Sequence, residues 1–534
     1  MLSAIINRER AGRRFVPLLL GILLSACTTV GPDYEAPAPA QLPSDWSPEE
    51  TATESRAVSD WWRLFNDPVL DQLIARGAQE NLSIEAAGLR IVQARAALGI
   101  SDALIFPQQQ QVNGNFAALY RNEDWYKSAN ASLDVGWEMD IWGKYARGIE
   151  ASEANLYATI ASYHDVLVTI SAEIARNYIN YRTAQERMYL SRQNIAIQQR
   201  VVEMTQVQYD AGNVSELDVQ QAKTQLYATQ SALPSLNIAR IQARNALAVL
   251  LGTLPEEVEP LLALQETPDI PTFVDSSSSG TQRQIMLADD ASSYSIIPKA
   301  PQLEPSIDPQ LVLQRPDLKV AELATRAQSA RIGLTEAELY PQFFLFGSVG
   351  VSETVRSSDS FSSSNALTAN IGPGLSWNIF QYGRIKNAIR IEDARFQESL
   401  TNYNQNVLAA VQEVTNALEG YQYTVDKSRY DALGVEASIR AFNISANQYN
   451  NGLVTYQRLL STVEKMTLRE DVYAQTRGSI ANQVVALYKA LGGGWEPLSG
   501  RPIVKPETVE QMRSRTDWGE YLEPETILGE DRDE

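Results

Sequence analysis

Gln208-Tyr209-Asp210-Ala211-Gly212 and Gln448-Tyr449-Asn450-Asn451-Gly452 stand 240 residues apart and set the plan of the chain. Each closes a long Pro-free run with a glycine, the residue that most easily takes the left-handed backbone ending a helix. Leu251-Gly252 and Leu491-Gly492 recur at the same offset, and Phe106-Pro107 and Tyr340-Pro341 at 234. The chain therefore reads as an internal duplication. Each copy runs helix, two alternating strands, a very long helix, a glycine turn and a helix back.

The alternation is clearest before the long helices. Val112, Gly114, Phe116, Ala118 and Tyr120 share a face opposite Gln111, Asn113 and Asn115. Ala129, Ala131, Leu133, Val135 and Trp137 oppose Asn130, Ser132, Asp134 and Glu138. In the second copy Phe343, Leu345, Val349 and Val351 oppose Gln342, Ser348 and Ser352. Its second strand places Leu367, Ala369, Ile371, Leu375, Trp377 and Ile379 opposite Thr368, Asn370, Ser376 and Asn378, with Pro373 as a blemish. Period two over about ten residues predicts strands with one apolar and one polar face.

The long helices are expected over Tyr145 to Asp210 and Arg384 to Asn450. About 65 residues at 1.5 Å each gives roughly 95–100 Å, several times a bilayer's thickness. Leu156, Ile160, Tyr163, Leu167, Ile170, Ile174, Tyr178 and Tyr181 follow three- and four-residue steps, the narrow seam of a coiled coil. The return helices are expected over Val214 to Leu251 and Val454 to Leu491, the first kinked at Pro234.

The N-terminus reads as an export signal. Arg8, Arg10, Arg13 and Arg14 precede the apolar run Phe15 to Leu24, and Leu24-Ser25-Ala26-Cys27 follows. A cysteine directly after small residues has the form of a bacterial lipobox, so residues 1–26 are expected to be removed and Cys27 lipidated. The net charge is −20, near −23 once a leader of net +3 is removed, which disfavours nucleic acid as a partner. One Cys and one His, His164, leave no usual zinc or copper ligand set, and no cofactor is expected. His164 reads as a packed or solvated side chain rather than a base.

No apolar run of about 20 residues follows Cys27, so any crossing of a membrane is by strands. Strands in lipid must close into a barrel, and single-chain bacterial barrels start at about 8 strands. With four strands this chain must pool them with other copies, or keep them out of lipid.

Thr29-Val30-Gly31-Pro32-Asp33-Tyr34-Glu35-Ala36-Pro37 after the lipobox resembles the start of outer-membrane efflux lipoproteins. So do Trp61-Trp62-Arg63-Leu64-Phe65-Asn66-Asp67-Pro68, Leu313-Gln314-Arg315-Pro316-Asp317-Leu318 and Ala337-Glu338-Leu339-Tyr340-Pro341. By these motifs nearly the whole mature chain is similar to the outer-membrane factors of tripartite pumps, the TolC superfamily in its lipoprotein (NodT/OprM-like) branch. The resemblance implies an α+β membrane protein: a homotrimer with a twelve-stranded barrel in the outer-membrane lipid, continuous with a periplasmic α-helical barrel. It implies a passive conduit, not an enzyme, working with a periplasmic adaptor protein and an inner-membrane RND-type transporter. The expected units are a leader 1–26, a lipidated tether 27–68, repeats 69–265 and 309–494, an equatorial linker 266–308 and an acidic tail 495–534.

The same resemblance places adaptor contacts at Gly212-Asn213-Val214 and Gly452-Leu453-Val454. It makes Asp218 a closing residue of the tip. Where the second copy usually carries two aspartates this chain has Arg458 and Ser461, with Glu464 one turn deeper, which departs from an acidic constriction. An ion pair between Asp218 and Arg458 is one expectation of this arrangement. Competing readings are a type I protein-secretion duct and a lipid-anchored coiled-coil scaffold without a pore.

Overall fold

The computed structural model describes residues 29–37, 59–263, 295–303, 310–356, 358–361, 366–499 and 502–523. Cys27, the leader, most of the linker and the last residues of the tail lie outside them. A short 3-10 helix, Trp61–Phe65, leads into α1 (Pro68–Glu80) and α2 (Leu82–Ala103). Then come β1 (Gln109–Arg121), β2 (Asp124–Met139), α3 (Lys144–Asp210), α4 (Glu216–Leu250) and α5 (Pro255–Leu262). The second copy gives α6 (Gln310–Leu313), α7 (Pro316–Glu336), β3 (Gln342–Arg356), β4 (Leu367–Ser376), α8 (Arg384–Asn450) and α9 (Tyr456–Ala490). The tail adds α10 (Glu496–Ser499) and α11 (Pro506–Arg515).

The duplication holds at the level of single hydrogen bonds. Trp137 Nε1 donates to Ile105 O at 2.9 Å, and Trp377 Nε1 donates to Leu339 O at 2.9 Å. Asn81 Nδ2 donates to Leu250 O, and Arg315 Nη1 to Ala490 O. In both pairs the partners are displaced by 234 residues before the strands and 240 after them, as the sequence motifs are.

The four strands form one antiparallel sheet in the order β1-β2-β3-β4. Its register gathers the apolar sets: Val112 faces Leu133, Leu133 faces Val349, and Val349 faces Ala369. β4 ends at Ser376, short of the expected Ile379. Ser376 pairs with Gln342, and the residue before it, Pro341, has no N–H to extend the ladder. Pro373 sits within β4 opposite Leu345, on a strand that ends the sheet within the protomer. α4 continues through Pro234 without a break in its assignment.

The helices are not joined by one narrow seam. α3 buries Leu156, Tyr163, Leu167, Ile174, Tyr178 and Tyr181 as expected, but also Ala154, Ala161, Val168, Ala175 and Ile179. It is packed by α1, α2, α4, α7 and α9 on several sides, whereas Leu408, Tyr423 and Tyr430 of α8 stay exposed. The body also starts before the expected boundary. Trp61, Trp62 and Phe65 lie in the largest core, and Trp61 stacks on Tyr488. Asp67 caps α1 by accepting from Val69 N and Leu70 N, and also accepts from Tyr178 Oη.

Residues 30–34 and the described part of the tail pack on the helices. Gly31, at φ +90°, lies against Gly333 so closely that a Cβ would fall 2.3 Å from its Cα. Arg147 donates to Val30 O, Gly31 O and Asp33 Oδ1, and Tyr34 Oη to Glu322 O. In the tail, Val504, Met512 and Leu522 join the main core, and Lys505 pairs with Glu85.

Candidate functional site

The sheet presents the first functional surface. Val112 is 82% exposed and Ile371 80%. Phe116, Tyr120, Leu133, Leu367, Leu375 and Trp377 are exposed too. In water such an apolar face marks an interaction surface, and in lipid it is the expected outer face of a strand ribbon. Trp137 and Trp377 are therefore not core residues. The opposite face carries Gln111, Asp134, Ser348 and Asn370 in one row across the strands. Asp134 accepts from Asn113 Nδ2 at 2.7 Å and Ser132 Oγ at 2.9 Å.

The alternation missed two residues of this polar face. Phe346 lies between Gly136 and Gly372, and Phe344 between Glu138 and Gly374. Their rings cover the glycines opposite them in β4. The signal was the glycines, which leave room for aromatic rings beside them.

The second surface is the pair of tips. α3 ends at Ala211, Gly212 follows at φ +76°, and Asn213 N donates back to Gln208 O. α8 ends alike: Gly452 has φ +70° and Leu453 N donates to Gln448 O. A Cβ at either glycine would meet nothing within 4 Å, so backbone conformation alone calls for glycine there. Gly212, Asn213, Gly452 and Leu453 are exposed, while Val214 and Val454 are half-buried.

The gate candidates separate. Asp218 accepts from Ser215 N at 3.0 Å and Ser215 Oγ at 2.8 Å, closing a capping box at the start of α4. Arg458 stands exposed on the first turn of α9, and no ion pair joins it to Asp218 within the chain. Within the protomer the carboxylate is engaged by its own helix start. The equivalent cap, Thr455, makes no side-chain cap bond, and Arg458 at the third helical position has no acceptor with which to close a capping box.

Burial raises the Tyr449 and Tyr456 hydroxyls above their ordinary value, with the Asp218 charge a lesser cause in both. The two rings pack edge to face at 6.1 Å within a core of Val201, Ala222, Phe442, Leu459 and Val463. Ser461 is half-buried. Glu464 is exposed and lines a cavity of about 450 Å³ with Arg187, Asn194 and Asp471. Arg187 grips Asp471 with two hydrogen bonds, at 2.7 and 3.0 Å. The periodicity could not reveal this pair, which lies 284 residues apart in sequence.

His164 is a packing residue, stacked on Trp495 at 4.1 Å, and burial pulls its imidazole down to about 4. Among the described residues no group of carboxylates, Cys and His could hold a metal ion. No helix of the described residues is long and apolar enough to cross a membrane.

An exposed apolar strand ribbon with two open edges, continued by helices about 100 Å long, defines the protomer of a multi-chain membrane channel. The chain belongs to the outer membrane efflux protein family, whose model matches residues 73–253 and 309–493. It is similar to the pyoverdine export outer membrane protein OpmQ of Pseudomonas putida, 27% identical over 501 residues, 91% of this chain and 98% of that protein. Nodulation protein T of Rhizobium leguminosarum bv. trifolii is 25% identical over 492 residues, 91% of this chain and 98% of that one. Among solved structures, the outer-membrane channel OprN matches with a TM-score of 0.74 and 29% identity, over 88% of this chain and all of that chain. The protein is thus an outer-membrane efflux channel component. Its fold is a trimeric strand barrel in the outer membrane, continuous with a helical barrel in the periplasm.

Proposed function

We propose that three copies form a passive duct that takes small molecules from an inner-membrane RND-type transporter and releases them outside the cell. A periplasmic adaptor meets the tips at Gly212-Asn213-Val214 and Gly452-Leu453-Val454. Lipid on Cys27 anchors each copy beside the barrel. The chain performs no chemistry, and the transporter supplies the energy. The observation that carries this reading is the register that places every strand's apolar set on one exposed face. A pore-free scaffold has no use for such a face.

Asp218, Arg458, Ser461 and Glu464 line the periplasmic entrance in this reading. The second copy's Arg458 makes that entrance less acidic than a double aspartate would. Purified protein in planar bilayers is expected to give single-channel currents, and deletion of its gene to raise susceptibility to exported compounds. Absence of both effects refutes the duct. Arg458→Ala is expected to raise the preference for cations; unchanged conductance and selectivity remove Arg458 from the entrance.

A further inference from the structure

The two copies meet inside one protomer through a specific contact at the neck, where the sheet joins the helices. Trp142, from the end of the first copy's strands, stacks on Tyr340 at 4.8 Å. Its Nε1 donates to Pro341 O at 2.8 Å. Six residues on, Gly148 of α3 receives Leu334 of α7, whose Cδ1 lies 3.5 Å from the point a Cβ would occupy. This joins the later half of copy one to the earlier half of copy two.

The reciprocal contact, later half of copy two to earlier half of copy one, is not made among the described residues of the protomer. The equivalence of positions is fixed by the paired hydrogen bonds of Trp137 with Ile105 and Trp377 with Leu339. By that equivalence Trp142 becomes Tyr382 and Gly148 becomes Ala388, while Tyr340-Pro341 becomes Phe106-Pro107 and Leu334 becomes Ile100. The character of each position is kept: aromatic against aromatic-Pro, and a small residue against a branched aliphatic. In the protomer Tyr382, Ile100 and Phe106 are bare, and Ala388 is half-buried. Tyr382 is 101% exposed, Ile100 69% and Phe106 67%. Tyr382 also holds φ +49°, an uncommon conformation for a residue with a Cβ.

We infer that Tyr382 stacks on Phe106 of the partner subunit, and that Ala388 receives Ile100 of the partner subunit. The occupant of this exposed patch is a second copy of the chain, and the contact repeats three times around the neck. It fixes how neighbouring subunits sit against each other at the neck, where β4 of one copy meets β1 of the next. The neck is then a ring of six near-equivalent aromatic contacts, three within chains and three between them.

The test is cross-linking of the full-length trimer with a short homobifunctional thiol reagent, using Ile100→Cys and Ala388→Cys together. Covalent dimers and trimers on denaturing gels are expected only when both cysteines are present. No more covalent dimer than either single variant gives, in material that is trimeric by size, overturns the inference. Tyr382→Ala and Phe106→Ala provide the second readout. Each is expected to lower the temperature at which the trimer dissociates in detergent, and together no further than either alone. An unchanged dissociation temperature, or fully additive losses, overturns the inference even where the cysteine pair fails to assemble.

Discussion

Replacing Ile371 by Lys tests the membrane face directly. Ile371 is 80% exposed on the apolar side of β4 and lies five residues from Ser376, the last paired residue on the helix side. At about 3.3 Å per residue and a tilt near 40°, five residues rise roughly 12 Å. That is close to the midplane of an apolar band about 25 Å tall. A lysine there costs about 2–4 kcal/mol. Three copies make that about 6–12 kcal/mol per barrel, comparable with the whole stability of a typical domain. Asn370→Lys is the control: it lies at nearly the same depth but on the polar face, in the row with Ser348 and Asp134. Folding into lipid vesicles under a urea titration, with trimer yield in the outer-membrane fraction, reads both. Ile371→Lys is expected to lower the midpoint and deplete the trimer, and Asn370→Lys to leave both nearly unchanged. Equal losses from the two variants, or none from Ile371→Lys, would show that the apolar face does not meet lipid.

Asp218→Ala removes the capping box and is expected to cost about 1 kcal/mol. Amide exchange in the first turn of α4 then rises about five-fold, with the Thr455 turn as an unchanged control. Gly333→Ala brings a Cβ to 2.6 Å from Val30 O. It is expected to cost about 1–3 kcal/mol as the tether shifts, read as faster proteolysis at residues 30–37. His164 titrates near 4 when folded against 6.5 when free, because burial disfavours the cation. The unfolded chain therefore binds the extra proton between those values. Stability falls as pH drops from about 6.5 to 4, by up to about 3 kcal/mol. Asp165, its carboxyl raised by burial, acts in the opposite sense. Comparing melting at pH 7 and pH 4.5 for the wild type and His164→Phe, which keeps the ring on Trp495, isolates the histidine as the steeper dependence.

Much of this architecture is legible in the sequence because duplication states each element twice. The glycine turns, the paired strands and the long helices recur at fixed offsets, and local rules of turn and period suffice to read them. Several features are not local and stayed hidden. The many-sided packing of α3 depends on which helices surround it, and its buried alanines show no amphipathic stripe. Phe344 and Phe346 break the alternation because their room comes from glycines on other strands. The acidic tail, with eleven acidic and five basic side chains from Glu496 on, reads as solvated or packing. Its Val504, Met512 and Leu522 are too sparse to form a pattern, yet they seat it on the main core.

The departure at Arg458 gains a physical meaning from the same comparison of copies. Ser215 and Thr455 occupy equivalent cap positions, and Asp218 and Arg458 the positions three residues on. An aspartate there satisfies the orphan amide of its own helix start, so its charge is held at the tip. An arginine cannot, so it is left exposed and free to face whatever enters or docks. The two tips of each protomer are therefore alike in backbone and opposite in charge at this position. In the duct we propose, a trimer then alternates three capped carboxylates with three exposed guanidinium groups, an entrance set by charge pattern rather than by a single acidic ring.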